Sequence, residues 1–121
     1  MTDVNRKGQA YYQRQRRRAL GRDGGACVVC GRTAVSVHHR QGRGGKDPHR
    51  LSNLITVCGD GVRGHHGEIH ANPSASYALG RMVPRLGIRT PEDTPVLTRS
   101  GWVLLDNDGG ITATTPMKET T

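Results

Sequence analysis

Every cysteine and every histidine of this 121-residue chain falls between residues 27 and 70. The cysteines are Cys27, Cys30 and Cys58; the histidines are His38, His39, His49, His65, His66 and His70. These nine ligand-type side chains constrain the fold more than the apolar pattern does, because that pattern is thin. Only 33% of the residues are hydrophobic, phenylalanine is absent, and the aromatics are Tyr11, Tyr12, Tyr77 and Trp102. A single domain of this size normally rests on a core. One so poor in core formers needs another staple, either a metal or disulfides. The odd cysteine count argues against a disulfide framework, and the polar, basic N-terminus shows no apolar leader segment, so a reducing compartment is expected. Thiols and imidazoles crowded together then point to metal.

Cys27-Val28-Val29-Cys30-Gly31 reads as a zinc knuckle, two thiolates on a tight turn that can take adjacent corners of a tetrahedron. A redox pair at the same spacing belongs in a thioredoxin-like βαβ pattern, which is absent here. The next ligands along the chain are Cys58, after the apolar run Leu54-Ile55-Thr56-Val57, and His65. Their spacing is longer than that of the knuckle, and Cys58 read alone could be a small buried residue. The favoured assignment is a closed structural Zn²⁺ site of Cys27, Cys30, Cys58 and His65.

Two histidine motifs remain. Val37-His38-His39-Arg40 ends a short predicted strand (34–37) and opens a Gly/Arg-rich loop (41–50). In His66-Gly67-Glu68-Ile69-His70 the histidines stand at i and i+4, one turn apart on one helix face. With one histidine from a strand they make a divalent-metal site that keeps open positions. The zinc-protease pattern H-E-x-x-H is excluded, since Gly67 follows His66 and the acid, Glu68, is one position off. Glu68 is expected to be exposed, and His49, after Pro48, to be solvent-facing and incidental.

The charge is concentrated. Residues 1–50 hold 12 Lys/Arg against three Asp, a balance of +9, whereas the whole chain carries +8. That half suits a polyanionic partner, nucleic acid being the simplest, or is a solvated basic segment. Residues 6–20 predict a helix with Tyr12, Ala19 and Leu20 on one side and Arg14, Arg16, Arg17 and Arg18 wrapping about halfway round it. Downstream, a short helix over 76–82 is followed by a hairpin, 102–105 with 111–114, in which Trp102 caps the small core. No apolar run approaches the roughly 18 residues of a membrane span.

The order strand, His38-His39, loop, Asn53, strand, then helix with His66 and His70 resembles the HNH endonuclease family, the ββα-metal (His-Me finger) nucleases. The segments that carry it are Val37–Arg40, Leu51-Ser52-Asn53-Leu54-Ile55-Thr56-Val57-Cys58 and Gly64-His65-His66-Gly67-Glu68-Ile69-His70-Ala71-Asn72-Pro73. The lead-in Arg22-Asp23-Gly24-Gly25-Ala26-Cys27-Val28-Val29-Cys30-Gly31 is similar to that of zinc-bearing phage members, and the likeness covers about residues 20–73. Such relatives usually have cysteine at the place of His65. A Cys3His site is ordinary for zinc. Neighbouring helix positions diverge by about 100°, so His65 can face the zinc while His66 pairs with His70.

The resemblance implies an α+β fold: a small ββα-metal (HNH) finger stapled by structural zinc, with a basic N-terminal helix and a C-terminal hairpin. The expected organisation is residues 1–22 (basic helix), 23–75 (nuclease core), 76–115 (helix and hairpin extension) and 116–121 (a disordered tail). It also implies a metal-dependent DNA endonuclease. His39 would be the general base, a role open to an imidazole of ordinary pKa near 6.5. His38, His66 and His70 would hold one divalent ion (Mg²⁺, Mn²⁺, Ni²⁺ or Zn²⁺). Asn53 would tie the loop that fixes His39, and Arg40 and Arg43 would contact phosphates beside Arg14, Arg16, Arg17 and Arg18. The partners implied are double-stranded DNA and a phage terminase, and the location is the cytoplasm, that of the host if phage-encoded. The rival expectation is a zinc-stapled DNA-binding module without catalysis.

Overall fold

A computed structural model of the chain describes residues 8–116. Among the described residues the fold is α+β, with three α-helices and two small antiparallel sheets. Helix α1 (Gln9–Arg22) leads to β1 (Ser36–His39), a 3₁₀ turn (Leu51–Asn53) and β2 (Leu54–Val57). Then come α2 (Gly64–Ala71), α3 (Pro73–Ala78), a second 3₁₀ turn (Pro91–Asp93), and β3 (Val96–Thr98), β4 (Gly101–Leu105) and β5 (Ile111–Ala113). Residues 6 and 7 of the expected first helix, and 117–121 of the expected tail, lie outside the described residues. Among the described residues no helix is long and apolar enough to cross a membrane.

Strand β2 organises the core, because it is buried along its whole length. Alternate side chains of a strand leave opposite faces. Leu54 joins Ala19 of α1, Val37 and Leu51 in one cluster. Ile55 and Val57 join Cys27, Ile69 of α2, and Val96, Val103 and Leu105 of the second sheet in the other. The expected 76–115 extension therefore completes the main core rather than hanging from it. Helix α1 is fastened at its end by Arg22, which pairs with Asp23 at 2.8 Å with both side chains buried. Arg22 also donates to the carbonyls of Leu51 and Leu54, and Asp23 accepts from the Thr56 N–H.

Several boundaries differ from the sequence expectation for identifiable reasons. The first strand starts at Ser36 and includes both histidines, since Ala34 bonds back to the Gly25 carbonyl and Val35 is exposed. Strands β1 and β2 pair with His38 opposite Ile55 and His39 opposite Leu54. The helix expected over 76–82 is α3, three residues earlier, because Pro73 fits the first helical turn, where no N–H is needed. Trp102 does not cap the core: Val103 and Leu105 point inward, and Trp102, opposite Leu97, lies on the other face of β4. Strand β3, three residues directly after Pro95, was not anticipated.

Helix α2 holds three ligand-type histidines in eight residues, and Gly67 seats it. A Cβ there would fall 2.3 Å from the Val62 carbonyl atoms. Gly67→Ala should therefore lower stability by about 1–3 kcal/mol through overpacking, although alanine is the better helix former by roughly 1 kcal/mol. Thermal melts test this; an unchanged or raised Tm would show that the turn before α2 yields freely.

Candidate metal centres and the histidine pair

Cys27, Cys30, Cys58 and His65 come together at one corner of the molecule with their ligand atoms within 4.8 Å of one another. The Cys30 and Cys58 sulfurs are 3.8 Å apart. His65 Nδ1 lies 3.3 Å from Cys58 Sγ and 3.7 Å from Cys27 Sγ. A tetrahedral zinc with ordinary bond lengths has edges of about 3.8 Å between sulfurs and about 3.5 Å from sulfur to nitrogen. The donor set fits a structural zinc, and all three cysteines are free thiols. The long Cys58-to-His65 spacing is absorbed by a curled loop: Asp60 Oδ1 accepts from the Val62 and Arg63 N–H groups at 2.8 Å. The curl also needs positive φ at Gly59 (83°) and Gly64 (66°), which glycine adopts freely.

The electrostatics of Cys27 and Cys58 also favour a cation. Burial pushes the Cys27 thiol up, but N–H groups of Cys30, Cys58 and Val29 outweigh it and bring the pKa down to about 7. The His65 N–H lowers Cys58, yet burial and the Cys30 and Cys27 sulfurs raise it overall. The first negative charge settles on Cys27 and opposes a second, a repulsion that a divalent cation relieves. Glu68 is exposed, as expected, and stands 3.7 Å from His65 Nε2, on the ring edge away from the sulfurs.

The second cluster is His38 of β1 with His66 and His70 of α2, its ligand atoms again within 4.8 Å of one another. Ring centroids are 5.0–5.3 Å apart. His38 Nε2 lies 2.9 Å from the Arg81 carbonyl oxygen. A carbonyl only accepts, so Nε2 carries the proton and Nδ1 keeps its lone pair. His66 Nδ1 bonds to the Ser36 hydroxyl, leaving Nε2. Fixing one ring nitrogen so that the other can ligate is the usual support of a metal-binding histidine. Burial, with His66, His70 and Arg40 nearby, outweighs the Arg81 bond and pushes His38 down to about 4; burial and His70 lower His66. Both rings are held neutral, the ligating form. His38 is buried and His70 exposed, so the cluster opens on one side. The residues fit a divalent cation.

His39 follows His38 on the strand and faces the opposite side, towards α1. Its Nε2 lies 2.8 Å from Nδ1 of His49, and the Tyr12 ring packs at a tilt against both imidazoles, at 5.6 Å and 4.6 Å between centroids. His49 was expected to be exposed and incidental; it is 4% exposed and paired. Its signal was present in the sequence, since it belongs to the same 27–70 window as every other histidine. Burial, then Arg43, then His49 push His39 down to about 3, so this ring is neutral at physiological pH. Asn53 spans the 41–50 loop, accepting from the Gln41 N–H at 2.7 Å and donating to the Gly42 and Pro48 carbonyls.

The arginines divide. Arg40, expected on phosphates, is 1% exposed and donates to the carbonyls of Ser52, Gly80, Pro91 and Thr94. It is a buried clasp that spends four of its five N–H groups on the fold and presents none at the surface. Arg16 is half-buried and donates to the Val35 carbonyl. Arg14, Arg17, Arg18 and Arg43 are exposed, Arg43 lying 4.9 Å above the Tyr12 ring and Arg14 5.5 Å above Tyr11. This chain matches no family model, no curated protein and no solved structure.

Proposed function

We propose that this protein is a metal-dependent DNA endonuclease of the HNH, ββα-metal type, cutting duplex DNA with little sequence preference. The observation that carries the reading is the convergence of His38, His66 and His70 into a second ligand cluster, separate from the zinc-type ligands Cys27, Cys30, Cys58 and His65. A module stapled by zinc alone has no use for the second cluster. The order β1, spanned loop, β2, α2 supports the same reading.

A divalent ion held by His38, His66 and His70 would supply Lewis-acid stabilisation of charge on the scissile phosphate. The chain's own groups do the rest. His39 is neutral at physiological pH and is the group assigned to take a proton from the attacking water. Burial and Arg43 make it a weaker base than the free imidazole expected from the sequence. Asn53 holds the loop that walls His39, and Arg43 offers an exposed guanidinium to a phosphate. Arg14, Arg17 and Arg18 contact backbone charge, which gives affinity without reading bases. The setting implied by the resemblance is phage DNA packaging, with a terminase as partner.

Nicking of supercoiled plasmid in Mg²⁺ or Mn²⁺ tests the proposal. His39→Ala should slow nicking on the order of 10³-fold while zinc content and melting stay at wild-type values. Nicking at the wild-type rate would remove His39 as base. A wild-type protein that retards plasmid in a gel and never cuts it would leave the non-catalytic DNA-binding module.

A further inference from the structure

The buried His39–His49 pair contains a group that the general-base reading does not use. The two imidazoles meet through His39 Nε2 and His49 Nδ1 at 2.8 Å, a bond that needs one hydrogen between two nitrogens. Either His39 donates, which leaves its Nδ1 basic, or His49 donates, which occupies the Nε2 lone pair and leaves His39 no free basic atom. Only the first arrangement lets His39 take a proton.

We infer that His49 is the positioning residue of His39: its Nδ1 accepts from His39 Nε2–H and so fixes both the ring orientation and the tautomer with a free lone pair on Nδ1. This rests on the nuclease reading for its catalytic consequence, though not for the hydrogen bond itself. The logic is that of a base whose far nitrogen is held by a third group.

His49 is equipped for that task. It is 4% exposed, so water does not compete for the bond. Tyr12 of α1 packs on its ring at 4.6 Å, and its backbone carbonyl accepts from Gln15 Nε2 at 3.1 Å. On the loop side, Asn53 Nδ2 donates to the carbonyl of Pro48, the residue before it, at 2.8 Å. Helix and loop both clamp a side chain that touches neither metal cluster. Helix α1 is therefore part of the housing of the base as well as a carrier of arginines.

Two variants and one spectrum test the inference. His49→Leu removes the acceptor; His49→Asn keeps a polar atom near the place of Nδ1. In the plasmid assay His49→Leu should lower kcat about 10²-fold, the loss expected of a misplaced catalytic group, with KM within about threefold of wild type. His49→Asn should recover about tenfold of that loss. Equal loss in both variants, or a loss carried by KM, would assign His49 to packing alone. Imidazole ¹⁵N spectra of the wild-type protein should show His39 protonated at Nε2 and bare at Nδ1. The opposite tautomer would overturn the inference even if both variants fail to fold. If the wild type cuts no DNA, the nuclease reading falls, and the spectrum still decides the pair.

Discussion

Replacing Cys30 with alanine should leave the domain unfolded at room temperature. Cys30 is exposed, so the substitution removes no packing and acts only through the metal. Structural zinc in small sites supplies roughly 10–16 kcal/mol of apparent binding energy, whereas a whole domain of ordinary stability has a margin of about 5–15 kcal/mol. With no phenylalanine and 33% hydrophobic residues, this chain has little else to draw on. The four zinc-type ligands also come from separate parts of the chain, so a metal held there would bind them together: Cys27 and Cys30 precede β1, Cys58 follows β2, and His65 lies at the start of α2. Circular dichroism with metal analysis checks the expectation, and a strong chelator should reproduce the effect on the wild type. A variant that lacks zinc yet melts cooperatively at the wild-type temperature would refute the stapling role.

Arg40→Met should cost about 3–5 kcal/mol, because it strands buried backbone acceptors that the guanidinium satisfies. Methionine fits the space and removes the burden of burying a cation, whose pKa burial already pushes down to about 9. It also strips the carbonyls of Ser52, Gly80 and Thr94 of their donor, while that of Pro91 keeps the Thr94 N–H, and each unsatisfied buried acceptor costs about 1–3 kcal/mol. Those three acceptors outweigh the relief. Arg40→Lys should recover only part, because an ammonium group on a flexible stem does not reproduce the planar fork that serves four oxygens. Urea denaturation measures both variants. Wild-type stability in Arg40→Met would mean that the carbonyls find other donors.

The parts of this molecule that could be read in advance are those set by short-range pattern. The Cys27/Cys30 knuckle, the i, i+4 pair His66 and His70, the apolar run of β2 and the β4–β5 turn all declare themselves within a few residues. Arg40 and His49 do not. Arg40 reaches acceptors 12 to 54 positions along the chain, and a loop arginine beside Gly-rich sequence reads as solvated until Pro91 and Thr94 close over it. His49 meets His39 ten positions away only because Asn53 folds the loop back. Trp102 was misplaced by one step of strand alternation, which depends on which face the sheet buries, and a local pattern holds no record of that.

Helix α2 is eight residues long, well short of the ~12–15 at which an isolated helix becomes marginally stable in water. His65 and His66 are consecutive on it, one directed to each metal cluster. Loss of the cysteine-held ion would release the first turn of α2, and the spacing between His66 and His70 would blur with it. Emptying one centre would then loosen the other, so the two ions should leave in a fixed order under chelation rather than independently. In practice a purified batch with less than one zinc per chain would behave as a mixture of competent and incompetent molecules. On the nuclease reading proposed above, its low turnover would report metal stoichiometry, and dividing rate by zinc content instead of protein concentration should bring different batches onto one value.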